Sequence, residues 1–249
     1  MKIISLNCWG ARINPEILDF LIAHRDSVDA FCFQEMMRDT GDDEFDPLFD
    51  PKEIRNTVET FSELLPGFEH RFATFYGNDY GIATFVRESV GIADSFERFV
   101  HLDDTRIRLA VGNEGAHSRK VLVTTLGNGI HLANLHGLWI GGYGKGDHPD
   151  RIAQSEKILA AVLPLEGPKI LMGDFNLNPD TRSYRMFSDA GFSCLVERFG
   201  ITSTRTPLYE KPGKYADYAL VTPDVPVRDF RVLPDVVSDH APLLLEIAA

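Results

Sequence analysis

The polar residues best suited to chemistry in this sequence each stand at the end of an apolar run, where the chain leaves a core. Asn7 follows residues 3–6, and Gln34 and Glu35 follow residues 30–33. Asn134 and His136 close residues 130–135, and Gly173-Asp174-Phe175-Asn176 follow residues 169–172. Asp217 sits early in residues 215–221, and Ser238-Asp239-His240 lead into residues 242–247. Strand ends of packed sheets converge on a rim, which is where scaffolds place sites. Glu35, Asp174 and Asp239 brought together would repel one another unless a hard cation neutralised them, and carboxylate oxygens suit Mg²⁺, with Mn²⁺ as a substitute. Such a cation polarises a phosphoryl oxygen and stabilises a leaving oxyanion, while an aspartate that does not coordinate it takes a proton from attacking water. Histidines supply a hydrogen bond or a proton to a phosphate whose charge rises in the transition state. The amides of Asn7 and Asn176 orient water and ligands without adding negative charge.

Positioning these residues requires strands and helices interleaved from end to end. Apolar runs predict strands over residues 2–6, 30–33, 69–75, 82–86, 121–126, 130–135, 169–172, 215–221 and 242–247. Asn14-Pro15, Asp50-Pro51 and Asn178-Pro179 each offer a side-chain cap followed by proline, a helix-start signal. Apolar stripes follow: Ile17, Leu18, Leu21 and Ile22; then Ile54, Val58, Phe61 and Leu65; and, after Pro149, Ile152, Leu159, Val162 and Leu163. Helical crossovers in some places and a hairpin-length link at Gly127-Asn128-Gly129 in another imply mixed sheets. The simplest arrangement is an α/β (α+β) fold with two such sheets face to face and helices outside.

Composition sets the outer limits. The 249 residues fit one α/β domain, 1–249, and 44% hydrophobic with 25% charged residues is an ordinary globular balance. A net charge of −12 argues against a chain that grips long nucleic acid through a basic surface, because phosphate binding relies on clustered Lys and Arg. Cys8, Cys32 and Cys194 are odd in number and form no C-x-x-C pair, which reads as core thiols in a reducing compartment. With no signal-like or membrane-spanning apolar run, the expectation is a cytoplasmic protein without integral membrane association, and since nothing in the apolar pattern demands a partner, a monomer is the default. The acidic residues 39–53 fail as a calcium loop, since Glu44 stands where glycine is required, and read as a solvated insertion. The stretch from Gly141 to Gly146 fails as a phosphate-binding loop, since Trp139 and Gly146 occupy its defining positions.

Six segments carry a resemblance. Leu6-Asn7-Cys8-Trp9-Gly10, Phe33-Gln34-Glu35, Asn134-Leu135-His136, Gly173-Asp174-Phe175-Asn176, Ala216-Asp217-Tyr218 and Ser238-Asp239-His240-Ala241-Pro242 resemble, in order and spacing, the motifs of the endonuclease/exonuclease/phosphatase superfamily. One such motif is weak; six in order over nearly the whole chain are strong. The resemblance implies a deoxyribonuclease I-like four-layer sandwich, two mixed β-sheets flanked by helices, with metal-dependent phosphoester hydrolysis at one end. It implies that Glu35 is the main metal ligand, assisted by Asn7 and Asp239, and that Asp174 orients or deprotonates the attacking water. Asn176 would bind the phosphate, and His240, held by Asp217, would stabilise the developing charge. His136 resembles the second histidine of the deoxyribonuclease I-like branches, where other branches place tyrosine; Asp79 is the nearest guess at its carboxylate partner.

The substrate that the resemblance implies is a phosphoester: nucleic acid, a phosphorylated small molecule or a lipid headgroup. Between Arg198 and Lys214 the chain has four basic residues against Glu210 alone, a local excess just before Asp217. Arg205, among hydroxyl-bearing neighbours, is suited to phosphate, and Lys145 is a second candidate contact. A nuclease should show a longer basic track with stacking aromatics, so the acidic balance favours a small molecule or headgroup. Leu6-Asn7-Cys8-Trp9-Gly10 also resembles the first motif of neutral sphingomyelinases, whose membrane-associating segments are absent from this sequence. The competing reading is a binding module of the same fold that has lost the chemistry; retention of Glu35 and the Asp239-His240 pair argues against it.

Overall fold

The computed structural model describes residues 1–38, 50–76, 79–104, 118–140 and 144–248. In chain order its elements are β1 (Lys2–Asn7), α1 (Glu16–His24), β2 (Ala30–Met37), α2 (Thr57–Leu64), β3 (Phe68–Tyr76), β4 (Tyr80–Arg87), β5 (Ile92–His101), β6 (Arg119–Leu126) and β7 (His131–His136). There follow α3 (Pro149–Val162), β8 (Lys169–Asp174), α4 (Arg182–Asp189), β9 (Ser193–Cys194), α5 (Leu195–Arg198), β10 (Asp217–Val221), β11 (Val227–Val232) and β12 (Leu243–Ile247). They form two mixed six-stranded sheets, ordered β11-β12-β1-β2-β4-β3 and β5-β6-β7-β8-β10-β9.

Each sheet has a parallel pair at its centre, β1 with β2 and β7 with β8, and every other pairing is antiparallel. Parallel neighbours need a crossover, and α1 and α3 supply one each. Side chains alternate across the first sheet. Ile3, Ala30 and Cys32 face inward to Val121, Val123 and Leu132 of the second sheet. Ile4, Leu6, Phe31 and Phe33 face outward to Ile17, Phe20 and Leu21 of α1 and to Val58 and Phe61 of α2. Phe33 meets Phe61 edge-on at 5.1 Å, and full burial of such a ring contributes about 1.5–3 kcal/mol. On the far side, Ile158 and Leu159 of α3 and Phe187 of α4 close over the second sheet. The expected order of helices, sheet, sheet, helices is therefore the one observed.

A buried amide pair ties the sheets together. Gln34 donates to Asn134 Oδ1 at 2.8 Å, and Asn134 Nδ2 donates across the interface to the carbonyls of Phe33 (3.1 Å) and Ala83 (2.9 Å). Asn134 thus serves the core, not the rim.

The hairpin between β6 and β7 forms at Gly127-Asn128-Gly129 as the sequence predicts, with Gly129 at a φ of 83°. The helix starts differ. Asn14 caps nothing and α1 begins after Pro15; Asp50 Oδ1 accepts the Lys52 N–H at 3.0 Å in a turn, and α2 begins only at Thr57. Thr181, not Asn178, caps α4, its hydroxyl accepting from Tyr184 N at 3.2 Å. Asn-Pro and Asp-Pro stabilise turns as readily as helix starts, and here turns won. Ile22, in the last turn of α1, and Leu163, just past α3, belong to the apolar stripes that the spacing marks for burial, yet both are exposed. Strands β5, β9 and β11 carry no sustained apolar run, because each lies at or next to a sheet edge with much of its length in solvent.

Candidate active site

Register alone gathers most of the rim residues. Asn7 ends β1 beside Gln34, which lies inside β2 because that strand runs on past the expected end at residue 33 to Met37; His136 pairs with Asp174 at the ends of β7 and β8, and Asp217 begins β10 opposite Asp174. The close approach of β7 and β8 needs a glycine: Gly173 has a φ of 148°, and an added Cβ would overlap the Leu135 carbonyl. Residues 238–240 reach the same end from the other sheet, where the backbone of His240 bridges to Arg205.

His240 is buried and fixed on one side by a carboxylate. Its Nδ1 lies 2.8 Å from both oxygens of Asp217, whose Oδ2 also accepts the Thr204 hydroxyl at 3.2 Å. Burial opposes a charged imidazole, but Asp217 and Asp174 outweigh it, and the His240 pKa is raised. With Nδ1 committed, Nε2 points into the site, 3.6 Å from Asp174 Oδ2.

Asp174 is the hub. Its Oδ1 accepts the Asn176 N–H at 2.8 Å; its Oδ2 accepts from Asn7 Nδ2 at 3.2 Å and lies 3.7 Å from His136 Nε2. Asn176 Nδ2 donates to Oδ2 at 3.3 Å and to the Gly137 carbonyl at 3.3 Å. Burial alone would raise the Asp174 pKa, yet His240, His136, Lys145 and Arg205 together hold it below the usual carboxylate range. Asn176 keeps a left-handed backbone, φ 51°, which turns its side chain back onto Asp174.

Glu35 occupies a bulge. The register of β2 against β4 slips between Gln34 and Met36, and Glu35, at φ 57°, is the extra residue that the bulge turns toward the site. Its Oε1 accepts from Asn7 Nδ2 at 2.9 Å and lies 3.9 Å from His136 Nε2. Burial pushes the Glu35 carboxyl up; the Asn7 hydrogen bond and His240 pull it down, and Asp239 and Asp174 push it up again. A carboxylate crowded by burial and by two further acids is a donor set that a hard cation would satisfy, so the residues fit the metal that the sequence implies. In this arrangement Asn7 turns its amide nitrogen toward the carboxylates while its Oδ1 accepts the Trp9 N–H at 3.0 Å. To ligate, its amide would have to turn over.

Asp174, Asp217 and His240 also offer ligand atoms within 4.8 Å of one another. Asp217 is already committed to His240 and Thr204, so the Glu35 side, with Asp239, is the better seat. Asp239 Oδ1 lies 3.9 Å from His240 Nε2, and its Oδ2 lies 3.4 Å from Arg205 Nη1.

Both basic candidates are at the site. Lys145 donates to the Tyr215 carbonyl at 2.8 Å, and burial lowers its pKa to about 8. Of the remaining features, Asp79 is buried at the head of β4, while residues 39–49 of the acidic segment and 141–143 of the glycine-rich stretch lie outside the described residues. The sequence reading misses the role of three supporting residues, of which Thr204 stood only among the hydroxyl-bearing neighbours of Arg205 read as suited to phosphate. Tyr80 hydrogen-bonds Glu35; Arg119, buried over the ring of Phe75 at 4.8 Å, donates to the Gly137 carbonyl at 3.2 Å; Thr204 orients Asp217. A buried arginine leaves no local signal, because only tertiary packing shows what neutralises it.

The sequence profile described as the Endonuclease/Exonuclease/phosphatase family matches residues 4–240. No curated protein matches the chain in sequence. Among solved structures, a protein of Leptotrichia buccalis C-1013-b described as belonging to that family superimposes with a TM-score of 0.74 at 18% identity, covering 100% of both chains. Mannosyl-6-phosphatase Bt3783 of Bacteroides thetaiotaomicron VPI-5482 superimposes with a TM-score of 0.71 at 20% identity, again over 100% of each chain. The catalytic domain of human Nocturnin, solved with bound sulfate, gives a TM-score of 0.66 at 18% identity over 100% of this chain and 94% of its own. At these identities the likeness is one of fold.

Proposed function

The chain belongs to the endonuclease/exonuclease/phosphatase family and is a hydrolase of phosphoester bonds; on that premise we propose that it cleaves a small phosphorylated molecule with the help of Mg²⁺ or Mn²⁺. The observation that carries the reading is the interlocked rim, in which one carboxylate, Asp174, lies 3.6 and 3.7 Å from two imidazole nitrogens and Glu35 stands beside it. Glu35 and Asp239, with Asn7 after an amide turn, would hold the cation, which supplies polarisation of a phosphoryl oxygen and stabilises charge on the leaving oxygen.

The chain's own groups do the rest. Asp174 stays ionised and directs a water at phosphorus; with so low a pKa it acts first by orientation, accepting the proton as the new bond forms. His240 presents Nε2–H to a phosphoryl oxygen, and Asp217 keeps the imidazolium charged while its neighbour's charge grows. His136 and Asn176 close the phosphate seat from the second sheet.

A small substrate is supported by charge. The chain carries −12 overall, and the cations at the site, Arg205 and Lys145, are individual donors that suit one phosphate better than a polymer track. The full-length fold likeness to a mannosyl-6-phosphatase makes a phosphorylated sugar a natural member of the test panel. We also read the enzyme as a cytoplasmic monomer; buried Cys8, and Cys32 with its pKa pushed up to about 12, behave as core thiols suited to a reducing compartment.

The test is hydrolysis of sugar phosphates, nucleoside monophosphates, a chromogenic phosphodiester, sphingomyelin, RNA and single-stranded or abasic DNA, with Mg²⁺, with Mn²⁺ and with chelator. The expected result is turnover of a small phosphoester that chelation abolishes. Preference for the polymers, or turnover that survives chelation, would overturn the proposal.

A further inference from the structure

One side of the rim is built unlike a solvated loop. Past the end of β7, Leu138 and Ile140 are buried, and Trp139 between them is 44% exposed. The backbone just before it is fixed, and the chain is held again at Gly144 and Gly146. Leu138 N donates to Gln154 Oε1 at 2.9 Å, and Arg151, buried on α3, donates to the carbonyls of Leu138 (3.1 Å), Gly144 (2.7 Å) and Gly146 (2.6 Å). The fold therefore holds the indole out to solvent. From it a line of aromatic rings and cations leads to the reacting groups. Lys211 Nζ is 5.7 Å from the indole centroid. Two residues earlier, Tyr209 has the Arg205 guanidinium 3.9 Å from its ring centroid and Lys145 Nζ at 5.5 Å. Arg205 in turn reaches Asp239 at 3.4 Å.

We infer that this wall receives the organic part of the substrate, and that this part is a ring stacked on Trp139. The inference rests on the phosphoesterase reading and narrows its substrate to a small phosphoester of a cyclic group, a sugar or a nucleoside. An exposed indole gains by covering a flat face, the gain is tolerant of the ring's identity, and a linear polyol offers no such face. Lys211 stands where ring oxygens or nitrogens would accept a hydrogen bond.

The test compares the wild-type chain, Trp139→Ala and Trp139→Phe, with Mg²⁺, on a hexose 6-phosphate, a nucleoside 5′-monophosphate and ring-free glycerol 3-phosphate. Trp139→Ala should raise KM for the preferred cyclic substrate on the order of tenfold more than for glycerol 3-phosphate, with Trp139→Phe restoring most of the difference. The two cyclic arms tell sugar from base. An equal effect on cyclic and ring-free substrates, or none, overturns the inference. A second readout separates it from the reading beneath it: in the Asp174→Asn variant, the cyclic phosphates should change indole fluorescence, and the added Trp139→Phe should abolish the change. Fluorescence response without wild-type turnover would leave the ring site and sink the phosphoesterase; turnover without response would do the reverse; neither would sink both.

Discussion

Lys145 makes two opposed predictions at the scale of single residues. Its pKa is lowered from 10.5 to about 8, chiefly by burial, so the folded state disfavours the charge. That penalty is fully present below about 8 and fades as pH rises toward the unfolded value. Lys145→Met should therefore raise Tm at neutral pH while raising KM for phosphate esters. In the wild type, kcat/KM should fall as pH rises through about 8, a limb the variant lacks. A limb that persists in the variant would remove Lys145 from phosphate binding. Asp217→Asn tests the other charged pair: the raised His240 pKa depends on that carboxylate, so the imidazolium should be lost at lower pH and kcat should drop on the order of 10²-fold. An unchanged pH profile would assign Asp217 a structural role only. The reacting residues were legible in the sequence because each borders an apolar run, before it or after it, and belongs to an ordered motif. Tyr80, Arg119 and Thr204 were not, because their meaning lies in what they touch across the fold.

At the scale of elements, positioning depends on two features that can be broken separately. Gly173→Ala places a methyl against the Leu135 carbonyl and in a backbone region that L side chains avoid, so β7 and β8 must part. The expected cost is about 2 kcal/mol or more, with activity lost beyond what the melting curve explains. Asn134→Leu removes the amide that joins the sheets, taking the Asn134 donor from the Phe33 and Ala83 carbonyls at about 1–3 kcal/mol per group and leaving Gln34 Nε2 with the Cys32 carbonyl and the Ser5 hydroxyl. That variant should lose thermal stability in calorimetry; an unchanged Tm would contradict the bridging role. Strand cores could be read from apolar runs and the mixed character of the sheets from the crossovers and the hairpin link, whereas edge strands, helix starts and the identity of the central parallel pairs could not. In β5 and β11 burial is partial, and Asn-Pro and Asp-Pro serve turns as well as caps.

At the scale of the whole molecule, the two sheets bring together acids that no single element holds. The net charge of −12 divides between this rim, which calls for a cation, and acidic surface elsewhere, which repels a polyanionic polymer. Glu35 is where the two sheets and the charge balance meet: a bulge turns it inward, burial and two other acids crowd it, and Asn7 and His136 face it. The most direct test is the Mg²⁺ dependence of small-phosphoester hydrolysis in the wild type and in Glu35→Gln. A saturable requirement for Mg²⁺ that shifts to about 10–100-fold higher concentration in the variant, or activity lost outright, is the predicted result. Hydrolysis that proceeds under chelation, or that shows the same Mg²⁺ dependence in both proteins, would contradict it.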